Sequence, residues 1–142
     1  MRAAGYAGPN FNWGKYIEES NNESLILPMA EDFEFMDNID EIMSVPGIDA
    51  INFGPTDYAN SLGKILYYQM DAPEVEAALK EIVAKSKPLG VSVMAPVVPA
   101  TLEGAKKAID KGINMLIMGS DMGNFQAKCK EIVSGCLDLL RK

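Results

Sequence analysis

Two carboxylate side chains, Glu31 and Asp57, stand where short apolar runs of the sequence end. Glu31 closes the run SLILPMAE, and Asp57 lies three residues beyond the end of the run IDAINFG. Carboxylates without histidine or thiolate neighbours suit a hard cation that prefers oxygen ligands, such as Mg²⁺ or Mn²⁺. The sequence therefore makes Glu31 and Asp57 a candidate metal pair. The alternative is that Asp57 caps a helical turn and Glu31 is a solvated strand end.

The residues just before Asp57 form a turn that suits ligand binding. Gly54 lets the backbone approach a ligand closely, and Pro55 fixes the turn. The N–H groups of Thr56 and Asp57 are then placed to donate to an anion, so a small carboxylate substrate is the expected ligand. The candidate substrate-binding residues are Gly54, Pro55, Thr56 and Asp57.

Composition excludes several kinds of function. The chain has no histidine, so it cannot by itself run a mechanism that needs an imidazole base, a Ser-His or Cys-His nucleophile, or a histidine metal ligand. Its formal charge is −7 and its lysines and arginines are scattered, which argues against a nucleic acid partner. No apolar run is long enough to cross a bilayer and no secretory signal is visible, so we expect a cytoplasmic protein.

The two cysteines, Cys129 and Cys136, are seven residues apart in a helical pattern. That spacing places them on one face of a helix but about 10 Å apart along its axis, which exceeds the reach of a disulfide. With no histidine or third cysteine to complete a zinc site, the pattern favours buried structural cysteines.

Four short runs rich in Ile, Val, Leu and Met alternate with amphipathic stretches of helical period. This alternation predicts βα units and a parallel sheet in an α/β fold. Four such units are half of an eightfold barrel, and no linker divides residues 1–142, so we predict a single domain. An open four-stranded sheet has two bare edges and an uncovered face, so we expect it to pair with something. The runs are residues 24–31, 48–54, 91–98 and 114–120.

Local signals support the predicted helices. Pro73 suits the first turn of a helix. Gly47, Gly90 and Gly112 each follow a helical stretch and precede a strand, where a glycine that ends a helix belongs. Asp121, after the last strand, is expected to be the N-cap of the final helix.

The stretch MAEDFEFMDNIDEIMSVPGIDAINFGPTDYANSLG resembles the HpcH/HpaI aldolase and citrate lyase family. Members carry a glutamate at a strand end, a D-N-hydrophobic-D-E-I helix, a V-x-G-hydrophobic-D turn and a hydrophobic-G-P-x-D-L-x-x-S-L-G loop. The resemblance extends more weakly to the end of the chain, and it covers only the C-terminal half of the family's fold. The matching positions are Glu31, residues 37–42 and 46–49, Gly54, Pro55, Asp57, Ser61, Leu62 and Gly63.

This resemblance implies a (β/α)8 TIM-barrel enzyme of the class II aldolase type. Such an enzyme uses a divalent metal, Mg²⁺ or Mn²⁺ with Co²⁺ as a further candidate, to make and break C–C bonds between pyruvate and an aldehyde. By motif, Glu31 and Asp57 match the two metal ligands. Thr56 and the backbone of Asp57 match the contact to the substrate carboxylate.

Two departures from the family pattern limit what this chain can do alone. Met29 stands where many aldolases of the family have a glutamine that contacts substrate. The family's catalytic histidine and substrate-binding arginine come from early strands that this chain lacks, so no catalytic residue is assigned to it.

Alternative functions therefore stay open. The chain could be a half-barrel that binds metal or a keto acid without turnover, or half of a citryl-CoA or malyl-CoA type lyase. We expect either self-association or pairing with the missing N-terminal half, with residues 64–73 as the candidate contact segment.

Overall fold

The computed structural model describes residues 6–64 and 71–140 of the chain. Four strands alternate with helices along this part of the sequence, as the pattern of apolar runs predicts. In chain order the elements are α1 Trp13–Glu23, β1 Met29–Ala30, α2 Phe33–Asp37, α3 Ile39–Met43, β2 Ala50–Phe53, α4 Pro55–Ser61, α5 Pro73–Leu89, β3 Ser92–Pro96, α6 Leu102–Asp110, β4 Met115–Ile117 and α7 Asp121–Leu140. None of these helices is long and apolar enough to cross a membrane.

The four strands form one parallel sheet in the order β1-β2-β3-β4. Each strand lies within one of the four predicted apolar runs, so the predicted α/β class and parallel sheet are confirmed. Because neighbours in the sheet are also neighbours in sequence, all the carboxyl ends of the strands meet at one rim. Both candidate metal ligands follow strands at that rim.

One face of the sheet is covered by helices and forms the core. Strand residues on this face alternate with residues on the other face, as the two-residue period of a strand requires. Helix α5 packs on it through Val75, Leu79 and Ile82, all fully buried. The buried strand residues of this covered face are Ala30, Ile51, Phe53, Val93 and Ala95.

The other face of the sheet, which we call the open face, carries partly exposed side chains among the described residues, apart from the buried Ala50 at the start of β2. Met29 pairs in register with Asn52, Asn52 with Met94, and Met94 with Met115, so these side chains form a row across all four strands. None of them is buried, and Met29 is 49% exposed. The predicted uncovered face of a half-barrel is therefore present.

At the amino ends of the strands, two polar side chains fix the pairing. The Asp49 carboxylate accepts a hydrogen bond from the Ile26 N–H at 2.8 Å, which ties the segment before β1 to β2. In the same way the Asn114 side chain accepts from the Val93 N–H at 2.8 Å and ties β4 to β3. Side chains thus accept hydrogen bonds from backbone N–H groups where the strand ladders begin.

All three glycines that were predicted to end helices have a left-handed backbone, but only two stand at a helix end: Gly90 is the cap of α5 and Gly112 follows the cap of α6, whereas Gly47 lies three residues beyond Ser44, the cap of α3. Gly47, Gly90 and Gly112 have φ of 89°, 70° and 94°, a left-handed conformation that other residues rarely adopt. Pro73 opens α5, as predicted. The predicted helix around residue 38 is split in two at Asn38, whose side chain donates to the Glu34 carbonyl and so competes with regular helix bonding.

Two sequence predictions about the last helix are wrong. No residue of α7 is buried, so Cys129 and Cys136 are exposed thiols and not core residues. The helical period correctly placed the two cysteines on one face of the helix. It could not show that this face is exposed among the described residues. Asp121 is the first residue of the helix, and Ser120 is its cap, because the Ser120 hydroxyl accepts from the Gly123 N–H at 3.1 Å. Residues 65–70 of the predicted contact segment lie outside the described residues.

Candidate metal and substrate site

Glu31 follows β1 directly and lies against Gly54 at the end of β2. The two segments are joined by a hydrogen bond from the Gly54 N–H to the Ala30 carbonyl, at 3.0 Å. A Cβ placed on Gly54 would lie 3.0 Å from Glu31 Cβ and 3.5 Å from Glu31 Oε2. The glutamate side chain therefore passes over the glycine, and any larger residue at 54 would press on it.

Asp57 lies in the first turn of α4, a helix that begins at Pro55 with Gly54 as its N-cap. A carboxylate in the first turn is favoured by the partial positive charge at the amino end of a helix. In general the first N–H groups of a helix have no acceptor within it, which makes a helix start a common place for an anion to bind. The alternative in which Asp57 caps a helical turn does not describe this geometry, because the cap position is Gly54.

Ser61 holds the two carboxylate-bearing segments together. Its hydroxyl accepts a hydrogen bond from the Phe33 N–H at 3.0 Å, two residues after Glu31. The same hydroxyl donates to the Tyr58 carbonyl at 2.7 Å, one residue after Asp57. One side chain of the recognised motif thus fixes the loop after β1 against helix α4, and with it the relative position of Glu31 and Asp57.

The turn opens into a groove of about 510 Å³ at the carboxyl ends of the strands. All four predicted substrate-binding residues line it, together with Met29, the residue that replaces the family glutamine. Asn52 and Asn60 also line it, and sequence reasoning missed both. The signal for Asn52 was present, since it is a polar residue inside an apolar strand and two positions before Gly54. The full lining is Met29, Asn52, Phe53, Gly54, Pro55, Thr56, Asp57, Asn60, Pro96 and Ile117.

The charge of the groove favours a cation. Its lining includes Asp57 but no lysine or arginine among the described residues. Nearby, burial raises the pKa of the Tyr58 phenol, and repulsion from Glu81 and Asp37 raises it further. That phenol stays protonated at neutral pH and is not available as a base.

The donor set fits a divalent cation that keeps much of its water. Within residues 6–64 and 71–140, no group of three or more Asp, Glu, His or Cys side chains converges on one point. Mg²⁺ is commonly held by one or two carboxylates, with waters and substrate oxygens completing its shell. Glu31 and Asp57 would supply the two carboxylates of such a site; Asp57 lines the groove, whereas Glu31 is not among its lining residues.

Parallel βα units with functional groups on the loops after the strands define the class of (β/α)8 barrel enzymes. This chain carries four such units, one half of the barrel. It belongs to the HpcH/HpaI aldolase/citrate lyase family, whose pattern matches residues 6–127. The family resemblance predicted from the motifs is therefore confirmed.

Similar proteins agree on the family and on the partial coverage. The 5-keto-4-deoxy-D-glucarate aldolase of Citrobacter koseri is 30% identical over 119 residues, which are 82% of this chain and 44% of that enzyme. The same enzyme of Salmonella paratyphi C matches to the same extent, 30% over 119 residues. The chain thus spans less than half of the length of these relatives.

Two solved structures likewise match this chain over about half of their own length. The HpcH/HpaI aldolase from Desulfitobacterium hafniense DCB-2 superposes with a TM-score of 0.72 at 28% identity, covering 88% of this chain and 47% of the other. The citrate synthase SbnG superposes with a TM-score of 0.75 at 25% identity, covering 92% of this chain and 51% of the other. The four strands described above correspond to about half of each of these chains.

Proposed function

We propose that this chain is the C-terminal half of a divalent-metal-dependent aldolase or lyase that forms or cleaves a C–C bond to pyruvate or another 2-oxo acid. The observation that carries the proposal is the approach of Glu31 to Gly54, which brings one carboxylate against the turn that bears the other. Membership of an aldolase and lyase family supports the reaction class. Residues 1–142 act as one folding unit in this proposal.

Each group of the site has a separate task. Glu31 and Asp57 hold the metal, which when bound supplies Lewis-acid stabilisation of the negative charge that develops on the keto oxygen. The turn formed by Thr56 and Asp57 directs N–H groups at the carboxylate end of the substrate. The groove beyond Asn52 receives the remainder of the substrate. Proton transfer is left to the complementary half, because this chain has no histidine.

Metal binding is tested by titrating the chain with Mn²⁺ and following free ion by electron paramagnetic resonance. Glu31→Gln and Asp57→Asn each remove one charge without changing size. We expect each to raise the Mn²⁺ dissociation constant by more than about tenfold, since even outer-sphere partners of a metal contribute about 10–100-fold. Glu34→Gln, an exposed glutamate on helix α2, is the matched control. Equal affinity in all four proteins would remove Glu31 and Asp57 from the metal site.

Chemistry is tested by exchange of pyruvate methyl protons in D₂O, measured by NMR, with the N-terminal half of a family member added as a separate polypeptide. We expect exchange that depends on both the metal and the added half. Glu31→Gln should abolish that exchange and Glu34→Gln should not. Equal exchange by Glu31→Gln would contradict the proposed role of this carboxylate.

A second candidate is a half-barrel that binds metal and keto acid without turnover, and the absence of histidine favours it. Metal-dependent pyruvate binding with no exchange in the presence of the added half would support this candidate. A lyase of the citryl-CoA or malyl-CoA type is less well supported, because no cationic side chain among the described residues lines the groove to meet a pyrophosphate.

A further inference from the structure

Asn52 is a polar residue inside an apolar strand. Strand β2 has the sequence AINF, and the two sequence neighbours of Asn52, Ile51 and Phe53, are fully buried on the covered face. Asn52 itself belongs to the open face and is half-buried. An amide in such a place has lost part of its hydration, which costs free energy unless another group bonds to it.

The side chains beside Asn52 in the sheet offer its amide no strong partner. Met29 lies in register with it on β1, and Met94 lies in register with it on β3. A thioether sulfur is only a weak acceptor and carries no donor hydrogen. The hydrogen-bonding capacity of the amide is therefore not used by the neighbouring strands.

Asn52 lines the same groove of about 510 Å³ as the turn from Gly54 to Asp57. It comes two residues before Gly54, about 7 Å along the strand. The turn forms the rim of the groove. The part formed by the strand residues Met29 and Asn52, which we call the floor, lies below that rim. Asn52 thus supplies the polar group of the floor.

An amide on the floor suits a neutral oxygen of a ligand. Its NH₂ group donates and its carbonyl accepts, so one hydroxyl can be met in either direction. A second carboxylate on the ligand would call for a cation, and no lysine or arginine among the described residues lines the groove. An apolar group would leave the amide unpaired. A hydroxyl is therefore the ligand group that fits this floor best.

The proposed orientation of a 2-oxo acid directs its third carbon toward the floor. This step rests on the proposed function, in which the carboxylate lies at the turn of Thr56 and Asp57, and the keto oxygen lies at the metal. Both contacts are at the rim, so C3, the carbon beyond the keto group, is the part left to face the strands. A three-carbon acid with one hydrogen bond of about 2.8 Å spans a distance similar to that between rim and floor.

We propose that Asn52 is a substrate-binding residue that sets specificity, because its amide forms a hydrogen bond with a hydroxyl on C3 of the 2-oxo acid. The preferred ligand of this site is then a 3-hydroxy-2-oxo acid and not pyruvate itself. A site that bonds a substrate hydroxyl discriminates against the analogue without it, since that analogue desolvates the amide and returns no hydrogen bond.

Isothermal titration calorimetry of the Mn²⁺-loaded chain with pyruvate and with 3-hydroxypyruvate tests the proposal, because these acids differ by one hydroxyl. We expect 3-hydroxypyruvate to bind about 3- to 10-fold more tightly, the effect of one net hydrogen bond. Asn52→Leu keeps the size of the side chain without the amide and should remove this preference. Asn22→Leu, at an exposed position of α1, is the matched control and should keep it.

A second variant separates the floor of the groove from its rim. Asn60→Leu removes an amide that lines the same groove from helix α4, and it should keep the preference. Equal affinity for the two acids in the wild type, or a preference that survives Asn52→Leu, would overturn the assignment of Asn52 and leave the proposed function standing. If neither acid binds in a metal-dependent way, the proposed function fails, and this inference fails with it.

Discussion

The two faces of the sheet come from the same strands but differ in what they contain. Ile51 and Val93 face the helices and are fully buried, while their sequence neighbours Asn52 and Met94 face the other way and remain partly exposed. The covered face is aliphatic and aromatic, and the open face carries methionines and an asparagine. The core of the described residues is therefore built on the covered face, and the open face contributes little to it.

This division explains why so little of the site contributes to the core. Glu31 follows β1 and Asp57 lies in the first turn of α4, both at the rim, and the groove residue Asn52 belongs to the open face. Side chains that bind ligands are tolerated there because they bury no charge in the folded half-barrel. The covered face must instead exclude polar groups. Ser86 is its one buried polar side chain among the described residues.

The largest expected effect compares the two faces directly. Ile51→Ala should lower the free energy of unfolding by about 2–5 kcal/mol, because a fully buried side chain leaves a cavity. Met94→Ala should lower it by about 1 kcal/mol or less, since the side chain is only half buried. Urea denaturation at the lowest workable protein concentration measures both. Equal losses would show that the open face is packed in the isolated chain.

A smaller effect is expected where the open face meets the rim. Gly54→Ala would place a Cβ 3.0 Å from Glu31 Cβ and push the glutamate aside. We expect the Mn²⁺ dissociation constant to rise by about tenfold, or about 1.4 kcal/mol. Gly135→Ala on α7, where a Cβ meets nothing within 4 Å, is the control and should bind Mn²⁺ like the wild type. Unchanged affinity in Gly54→Ala would show that Glu31 is not held by this contact.

Sequence patterns predicted the features that local rules determine. They did not predict whether a helix face is covered by other parts of the structure. The strands and the placement of Glu31 and Asp57 at one rim follow from alternating apolar runs and from parallel order. The exposure of Cys129 was mispredicted because helical period defines a face and not what covers it. What covers a helix face depends on residues far away in the sequence, which the period of the helix itself does not encode.

A still smaller effect is expected at an unsatisfied buried hydroxyl in the covered face. Ser86 on α5 is 1% exposed, and its hydroxyl has no hydrogen-bond partner among the described residues. Ser86→Ala should raise the free energy of unfolding by about 1 kcal/mol, because it removes an unsatisfied buried polar group. Ala84→Ser, at an exposed position of the same helix, measures the change in helix propensity alone, a loss of up to about 0.5 kcal/mol. A loss of stability in Ser86→Ala would mean that the hydroxyl is satisfied in solution.

The smallest expected effect concerns Tyr58, whose ring packs on the covered-face residue Phe53 with centroids 5.9 Å apart. Burial, and then repulsion from Glu81, raise the pKa of its phenol above the usual 10.0. Between the unfolded and folded pKa values the folded chain therefore keeps a proton that the unfolded chain loses. This contribution to stability is complete below pH 10.0 and is lost as the pH rises through the folded pKa.

Tyr58→Phe keeps the ring and removes the titrating group, so its free energy of unfolding should fall less than that of the wild type between about pH 9 and about pH 10.5. Urea denaturation at both pH values measures the difference, and lysine deprotonation affects both proteins alike. Tyr16→Phe on α1 is the control, because that helix places no side chain in the core. If wild type and Tyr58→Phe lose stability equally, the phenol is hydrated in the folded chain.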